Sequence, residues 1–283
     1  MKLSIIIVTY NSSSLIKTCL QSVFKFNDIG DQLEVIIVDN NSGDFNELSE
    51  IVTKEFSNVK LISNAENKGY GQGNNVGVRN STGDTILIMN PDVILFKPIF
   101  NSILSTFTAN PETLLIGMKQ YETTNKLGQS FLMLNSSPID LFIHKICKKI
   151  DFYSSKMFCF SGACFAISKD AFTKVGMFDE NIFLYSEERD LHYRLLKLNG
   201  SIIYKKDLGY IHPVEDRGFN VTSIIRAMKS LIYVNEKSGR SKDVTIQNEL
   251  NIYKVLKLKA RLLGRKNEVD QLDLVIQGIK NMN

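Results

Sequence analysis

The chain lacks most of the signals that assign a protein quickly. It has no apolar run near the length needed to span a bilayer. Its four cysteines, Cys19, Cys147, Cys159 and Cys164, show neither paired nor zinc-ligand spacing, so buried core thiols are expected. No GxxxxGK[ST] loop is present, which excludes a P-loop enzyme. Charge of one sign is also scarce: a net +4 and a pI near 8.7 are too mild to imply nucleic acid. The opening MKLSIIIVTYNS carries one lysine and a short apolar run without a small-residue cleavage site, and reads as a strand rather than a leader. Together with the absence of a disulfide pattern, this gives the cytoplasm as the expected compartment.

What remains is an ordinary globular composition, 43% hydrophobic and 23% charged over 283 residues. That length suits one large domain, or one domain with a helical appendage. Strand and helix patterns alternate through the first half. Leu3 to Thr9 is a continuous β-branched run, as in a parallel strand covered on both faces. Ser12 to Ser14 offer caps for a helix carrying Leu15, Ile16, Cys19, Leu20 and Val23. Glu34 to Val38, Val59 to Ile62 and Thr85 to Met89 are further strands, with an amphipathic helix through Phe45, Leu48, Ile51 and Val52. Such alternation predicts an α/β fold with a mostly parallel sheet flanked by helices. Later, Met157 to Ser168 reads as one strand, Ser186 to Asn199 as a helix and Ser201 to Tyr204 as a strand. Three helical segments follow residue 220. Residues 119 to 156 show no clear period.

In an open parallel sheet, ligands bind beyond the carboxyl ends of the strands. Those ends carry Thr9-Tyr10-Asn11, Asp39-Asn40-Asn41, Asn64 to Asn75, and Asn90-Pro91-Asp92. Pro91 must end its strand, because proline supplies no backbone donor. Asp92 therefore stands at the ligand edge, either serving a turn or holding a metal or ligand. The glycine-rich NKGYGQGNNVG fails as a dinucleotide fingerprint, since Asn74 replaces its last glycine and it follows the third strand. It still places donor-rich backbone at a helix N-terminus, which suits a diphosphate. Downstream, Glu187, Glu188 and Asp190 fall within one helical turn, with Arg194 a turn later. Like charges this close raise one another's pKa, as a general base requires, although an acidic helix start has the same composition. His212 follows the last strand, whereas His144 and His192 fall on helices and read as structural.

The stretches SIIIVTYNS, EVIIVDNNSGD, NKGYGQGNNVG, ILIMNPDV and SGACFAISKDAFTKVGMFDENIFLYSEERDLHYRLLKLNG, followed by His212, resemble in order the motifs of family 2 glycosyltransferases with the GT-A fold. The resemblance is nearest to bacterial rhamnosyltransferase-like enzymes of O-antigen and capsule synthesis. It implies a GT-A domain over 1–219, with 220–283 as a C-terminal helical extension. Position by position, it implies that Thr9, Asn11 and Asp39 hold the base and ribose of a nucleoside diphosphate sugar. Asn67, Gly69 and Asn74 would lie against ribose and diphosphate, and Asn90 beside them. Asp92 matches the last acid of the family's DxD motif, with Asn90 in place of the first, and His212 matches a histidine that completes a metal shell. A divalent cation, Mn2+ or Mg2+, is implied. Glu187 and Glu188 match the acid pair whose second member is the catalytic base, and Gly162, Ala163, Asp190 and Arg194 fall in the acceptor-side motifs. Single displacement would invert the anomeric carbon. A sugar-nucleotide nucleotidyltransferase would want a glycine-rich, Arg/Lys-bearing loop where this chain has YNSSSLIK. A non-catalytic nucleotide-sugar-binding module is favoured only by Asn90 and by glutamate at 188.

The basic charge is concentrated. Thr222 to Lys266 holds 11 Lys plus Arg against 3 Asp plus Glu, and the rest of the chain is net acidic. Either a solvated helical face or a surface resting on anionic lipid headgroups has this pattern. Aromatics are sparse among these charges, which argues against nucleic acid. For enzymes of this resemblance the expected partners are a nucleotide sugar and a saccharide or lipid-linked saccharide acceptor, at the inner face of the plasma membrane.

Overall fold

The computed structural model describes residues 1–213 and 220–282. Its elements divide between two compact units. The first comprises Met1–Phe131, Phe160–Phe183 and Leu191–Val214. It is built on β1 (Leu3–Thr9), α1 (Ser13–Lys25), β2 (Leu33–Asp39), α2 (Phe45–Glu55), β3 (Lys60–Ser63), α3 (Tyr70–Arg79), β4 (Thr85–Met89), α4 (Phe100–Ala109), β5 (Thr113–Thr123) and β6 (Lys126–Leu127). After β7 (Phe131–Met133), α5 (Pro138–Lys149) and β8 (Phe158–Phe160), the unit resumes with β9 (Cys164–Ser168) and α6 (Lys169–Lys174). Helix α7 (Glu187–Leu195) and β10 (Ser201–Ile211) follow.

The main sheet runs β10-β5-β9-β4-β1-β2-β3, with β6 paired to β5. Pairs β1–β2, β1–β4, β2–β3 and β5–β10 are parallel, while β9 is antiparallel to both β4 and β5. The α/β fold expected from the alternation is therefore present, with one reversed strand in a mostly parallel sheet. All seven residues of β1 are buried because both faces are covered. Leu3, Ile5 and Ile7 pack with Ile16, Leu20 and Val23 of α1. On the other face Ile6 meets α3 so closely that a Cβ on Gly77 would lie 2.4 Å from its methyl. Glycines in the NKGYGQGNNVG stretch thus serve helix-on-sheet packing as well as turns.

Several boundaries differ from the sequence expectation. The Met157–Ser168 stretch is two strands, β8 and β9, broken at Ser161, Gly162 and Ala163. There the chain leaves one sheet for another: Ser161 N–H donates to Ser130, and the Ala163 carbonyl accepts from Asn90 N–H. Helix α7 is shorter than 186–199, because Leu195 is its last helical residue and the chain tightens into turns before Gly200. Helix α4 and most of β5 carried no pattern noticed in the sequence.

The second unit comprises Leu132–Cys159, Leu184–Asp190 and Glu215–Asn283. It is wider than the 220–283 extension expected above. Its helices α8 (Val221–Lys237), α9 (Lys242–Leu262) and α10 (Lys266–Lys280) enclose a small core of Met228, Leu231, Ile232, Ile246, Leu250, Val275, Ile276 and Ile279. Helix α5 packs against α9, and the Arg240 guanidinium donates to the Leu134 carbonyl. Among the described residues no helix is long and apolar enough to cross a membrane. All four cysteines are buried and free, as the spacing implied.

Candidate active site

The edge formed by β1 and β2 is a closed hydrogen-bond lattice. Parallel pairing sets Thr9 opposite Asp39, and Thr9 Oγ1 donates to Asp39 Oδ1 at 3.2 Å. Ser42 donates its hydroxyl to Asp39 Oδ1 and its N–H to Oδ2. Asn11, held at φ +50° in the left-handed region, accepts from Gly43 N–H through Oδ1, and its own N–H donates to Ser42. Thr9 and Asp39 are buried, whereas Asn11 is exposed. Asn40, next to Asp39 in the chain and absent from the expected ligand set, is also buried. It donates to the Gly69 carbonyl and accepts from Asn64.

The glycine-rich segment is fixed as firmly. Asn67 Oδ1 accepts from Gly69 N–H, and the Phe183 carbonyl accepts from Tyr70 N–H. The first donors at this end of α3 are therefore engaged within the protein. Gly69 sits at φ +97° with its α-carbon against the Phe183 backbone, where a Cβ would lie 2.1 Å from a carbonyl oxygen. No other residue fits there. Asn74, fully buried on α3, donates to the Tyr70 carbonyl, but its Oδ1 has no donor.

Beyond β4 the pattern changes. Asn90 is anchored through its N–H to Ala163, and Val93 N–H closes a turn onto the Asn90 carbonyl. Tyr70 donates its hydroxyl to the Gly162 carbonyl next door. Reciprocal backbone bonds between Ile94 and Ile211 bring the end of β10 alongside. His212 N–H then donates to the Tyr121 carbonyl, which fixes where its ring falls. His212 Nε2 stands 3.3 Å from Asp92 Oδ1 and 3.5 Å from Asn90 Nδ2. The Asp92 contact lacks hydrogen-bond geometry, so Asp92 Oδ1 and Asn90 Oδ1 are both buried acceptors without a donor. Residues 122 positions apart in sequence are thus gathered by the Ile94–Ile211 bridge. The nearby Cys19 thiol is pushed far up by burial and secondarily by the Asp92 charge, so it remains a thiol.

Orphaned buried oxygens cost free energy unless something meets them. Two oxygens and an imidazole nitrogen form a donor set that suits Mn2+ or Mg2+. Among the described residues no cluster of three His, Cys, Asp or Glu side chains exists. A cation held by Asp92 and His212 would complete its shell with Asn90 Oδ1, waters and phosphate oxygens. The residues fit the group.

The acid pair lies in the second unit. Tyr185 and Ser186 both have left-handed backbone, φ +74° and +70°, immediately before α7. Two successive non-glycine residues in that region cost on the order of 1–3 kcal/mol each, and such strain concentrates at functional sites. Glu187 is buried with Oε1 lacking a donor, while Glu188 is partly exposed. Burial raises the Glu187 pKa to about 8, with the Glu188 charge a second cause. Desolvation also raises Glu188. Burial, more than the mutual repulsion expected from spacing, therefore perturbs this pair. Buried Asp190 pairs with the exposed Lys237 at 2.7 Å, and Arg194, in the first unit, donates to the Val175 carbonyl. Both side chains are thus engaged within their own units.

A sequence profile of glycosyl transferase family 2 matches residues 4–176, and the chain belongs to that family. It is a glycosyltransferase. The hexosyltransferase Agl10 of low-salt glycan biosynthesis from Haloferax volcanii is 28% identical over 234 residues, 77% of this chain and 69% of the relative. Human polypeptide N-acetylgalactosaminyltransferase 3 is 27% identical over 220 residues, 70% of this chain but 34% of that longer protein. Among solved structures, the mannosyltransferase PcManGT from Pyrobaculum calidifontis, in complex with GDP-Man and Mn2+, superposes with a TM-score of 0.67. That alignment covers 99% of this chain and 87% of the other at 16% identity, a likeness of fold.

Proposed function

We propose that the protein is an inverting, metal-dependent glycosyltransferase that moves a sugar from a nucleoside diphosphate sugar, dTDP-rhamnose or a UDP-sugar, to a saccharide or lipid-linked saccharide in cell-surface polysaccharide synthesis. The observation carrying this is the pair Asn90 Oδ1 and Asp92 Oδ1, buried acceptors beyond the carboxyl end of β4 that no protein donor meets, with His212 Nε2 standing 3.3 Å from Asp92 Oδ1. Asp92 and His212 would hold the cation. When bound, it supplies positive charge to the departing diphosphate. The lattice of Thr9, Asn11 and Asp39 shapes the walls for base and ribose, and Asn67, Gly69 and Asn74 shape those for ribose and diphosphate. Mn2+ in the GDP-Man complex of the Pyrobaculum enzyme supports the cation, and the imidazole ligand favours manganese over magnesium.

Glu188 is the general base. A sugar hydroxyl is a poor nucleophile at neutral pH until a carboxylate within reach takes its proton during attack. Partial exposure gives Glu188 access to an acceptor, and desolvation strengthens it as a base. Buried Glu187 is also raised, to about 8, chiefly by desolvation. Attack from the face opposite the leaving group inverts the anomeric centre. Gly162 and Ala163, whose carbonyls fix Tyr70 and Asn90, join the acceptor-side motifs to the β4 edge. Incubation with labelled dTDP-rhamnose, UDP-galactofuranose, UDP-hexoses and GDP-mannose tests the assignment. Metal-dependent release of nucleoside diphosphate with sugar transfer is expected. Binding without turnover across the whole panel overturns it.

The lipid-linked acceptor and a peripheral site on the inner plasma membrane belong to the same proposal. Support comes from the second half of α9, where Val255, Leu256, Leu258 and Leu262 are exposed among Lys254, Lys259 and Arg261, while Lys257 pairs with Asp273. Ile224, Ile225, Met228, Leu231 and Ile232 of α8 instead pack into the helical core. Each basic residue near an anionic surface contributes about 1 kcal/mol.

A further inference from the structure

Helix α5 wears its apolar side outward. Ile139, Phe142 and Ile146 are 71%, 65% and 46% exposed, and Ile150, at its C-terminal end, is 65% exposed. At about 100° per residue these four fall within an arc of about 80°, a single stripe. Phe152, just past the helix, is exposed as well. The opposite side is the one that packs: Cys147 is buried, and His144 lies 5.8 Å from the Phe158 ring. Lys145 and Lys149 flank the stripe on one edge, at about 60° and 20° from Phe142. A contiguous apolar face of this kind is uncommon on a protein surrounded only by water.

We infer that α5 is a membrane-docking helix, lying in the plane of an anionic bilayer surface with Phe142 and Ile146 inserted below the headgroups and Lys145 and Lys149 among the phosphates. This rests on the peripheral-membrane part of the proposed function and assigns the inserting element, which the basic C-terminal segment alone does not supply. The charge pattern selects lipid over a second copy. Antiparallel self-pairing through the stripe would set Lys145 and Lys149 against the same lysines of the partner. Anionic headgroups complement them, and large apolar groups beside lysines are the composition of interfacial helices. At 12 residues the helix is about 18 Å long, suited to lying on a bilayer and too short to cross it.

The chain contains no tryptophan, so Phe142→Trp installs a single reporter on an exposed position. The full-length variant is titrated with vesicles of phosphatidylcholine containing about one third phosphatidylglycerol, with brominated phosphatidylcholine as a depth quencher. Expected are a blue shift of emission, quenching by the brominated lipid, and bound protein that persists in high salt. The double variant Phe142→Ser, Ile146→Ser should lose that salt-resistant binding by tenfold or more while keeping donor hydrolysis and thermal stability. Emission that stays at the water-exposed wavelength overturns the inference. So does a wild-type dimer in sedimentation velocity that Ile146→Ser converts to monomer without altering lipid binding. If binding is instead abolished by Lys254, Lys257, Lys259 and Arg261→Gln while the reporter never shifts, α5 is excluded and the C-terminal contact stands. No binding by any variant removes both.

Discussion

Asp39 and Asp92 both stand at the carboxyl edge of one sheet, two strands apart, and their surroundings are opposite. Asp39 accepts from Thr9, from the Ser42 hydroxyl and from the Ser42 N–H. Asp92 Oδ1 accepts from nothing and has an imidazole nitrogen at 3.3 Å. A carboxylate whose lone pairs are met stabilises its loop. One that is buried without donors is a cost that persists when a ligand repays it. The same contrast separates Asp190, paired with Lys237, from Glu187, whose Oε1 has no donor.

The largest test of that contrast is Glu188→Gln. The amide keeps the shape but cannot take a proton, so turnover should fall by roughly 10²–10⁴-fold. Donor binding, followed by thermal shift with the nucleotide, should be unchanged. If Glu187 proves indispensable and Glu188 does not, the roles within the pair are exchanged.

Asp92→Ala comes next. Losing charge stabilisation at a leaving group costs about 3 kcal/mol, on the order of 10²-fold in kcat. Wild type in EDTA should show a comparable loss, and His212→Ala a milder one. Full activity of the wild type in EDTA would return Asp92 and His212 to a structural role.

Smaller effects separate the two kinds of carboxylate by stability. Asp39→Ala removes the acceptor of the Ser42 N–H and hydroxyl and the shorter of the two acceptors of the Thr9 hydroxyl, and should cost about 1–3 kcal/mol in urea denaturation. Asp92→Ala should be neutral or stabilising in the same measurement. Equal losses in both would erase the distinction.

The smallest effect is on pH dependence. A buried acid whose folded pKa is raised loses stability as pH climbs from its unfolded value, near 4.5, through its folded value. For Glu187 that window ends at about 8. Glu187→Gln should therefore gain thermal stability relative to wild type across that range, with little change in kcat. Activity should rise with pH along a limb above the ordinary carboxylate range, because Glu188 must ionise to act. An identical pH–stability curve for Glu187→Gln and wild type would show that Glu187 is not held neutral.

Much of the sheet was legible because it is local. The β-branched runs of β1, β2 and β4 match a strand covered on both faces, and Pro91 has to end what precedes it. Where two sheets share one apolar stretch, as at Phe158–Ser168, composition cannot mark the break; the separate backbone bonds of Ser161 to Ser130 and of Ala163 to Asn90 do so. Helix α5 shows no one-sided period in the sequence because apolar residues occupy both its packed and its exposed sides, Cys147 on one and Ile139, Phe142 and Ile146 on the other. Asn40 was passed over because nothing in DNNSG distinguishes a buried amide from a turn residue.

By itself the sequence determined the alternation of strands and helices, the order of the polar strand ends, and the acidic turn opening α7. These follow from side-chain period, backbone restriction and cap chemistry over a few neighbouring residues. Only the tertiary structure decided that His212 meets Asp92, that Asp39 is satisfied where Asp92 is not, and that Glu187 is buried beside a more accessible Glu188. Each of these depends on which groups the Ile94–Ile211 bridge, the β1–β2 register and the second unit's packing bring within reach, and burial and hydrogen-bond supply at a carboxylate are set by neighbours distant in the chain.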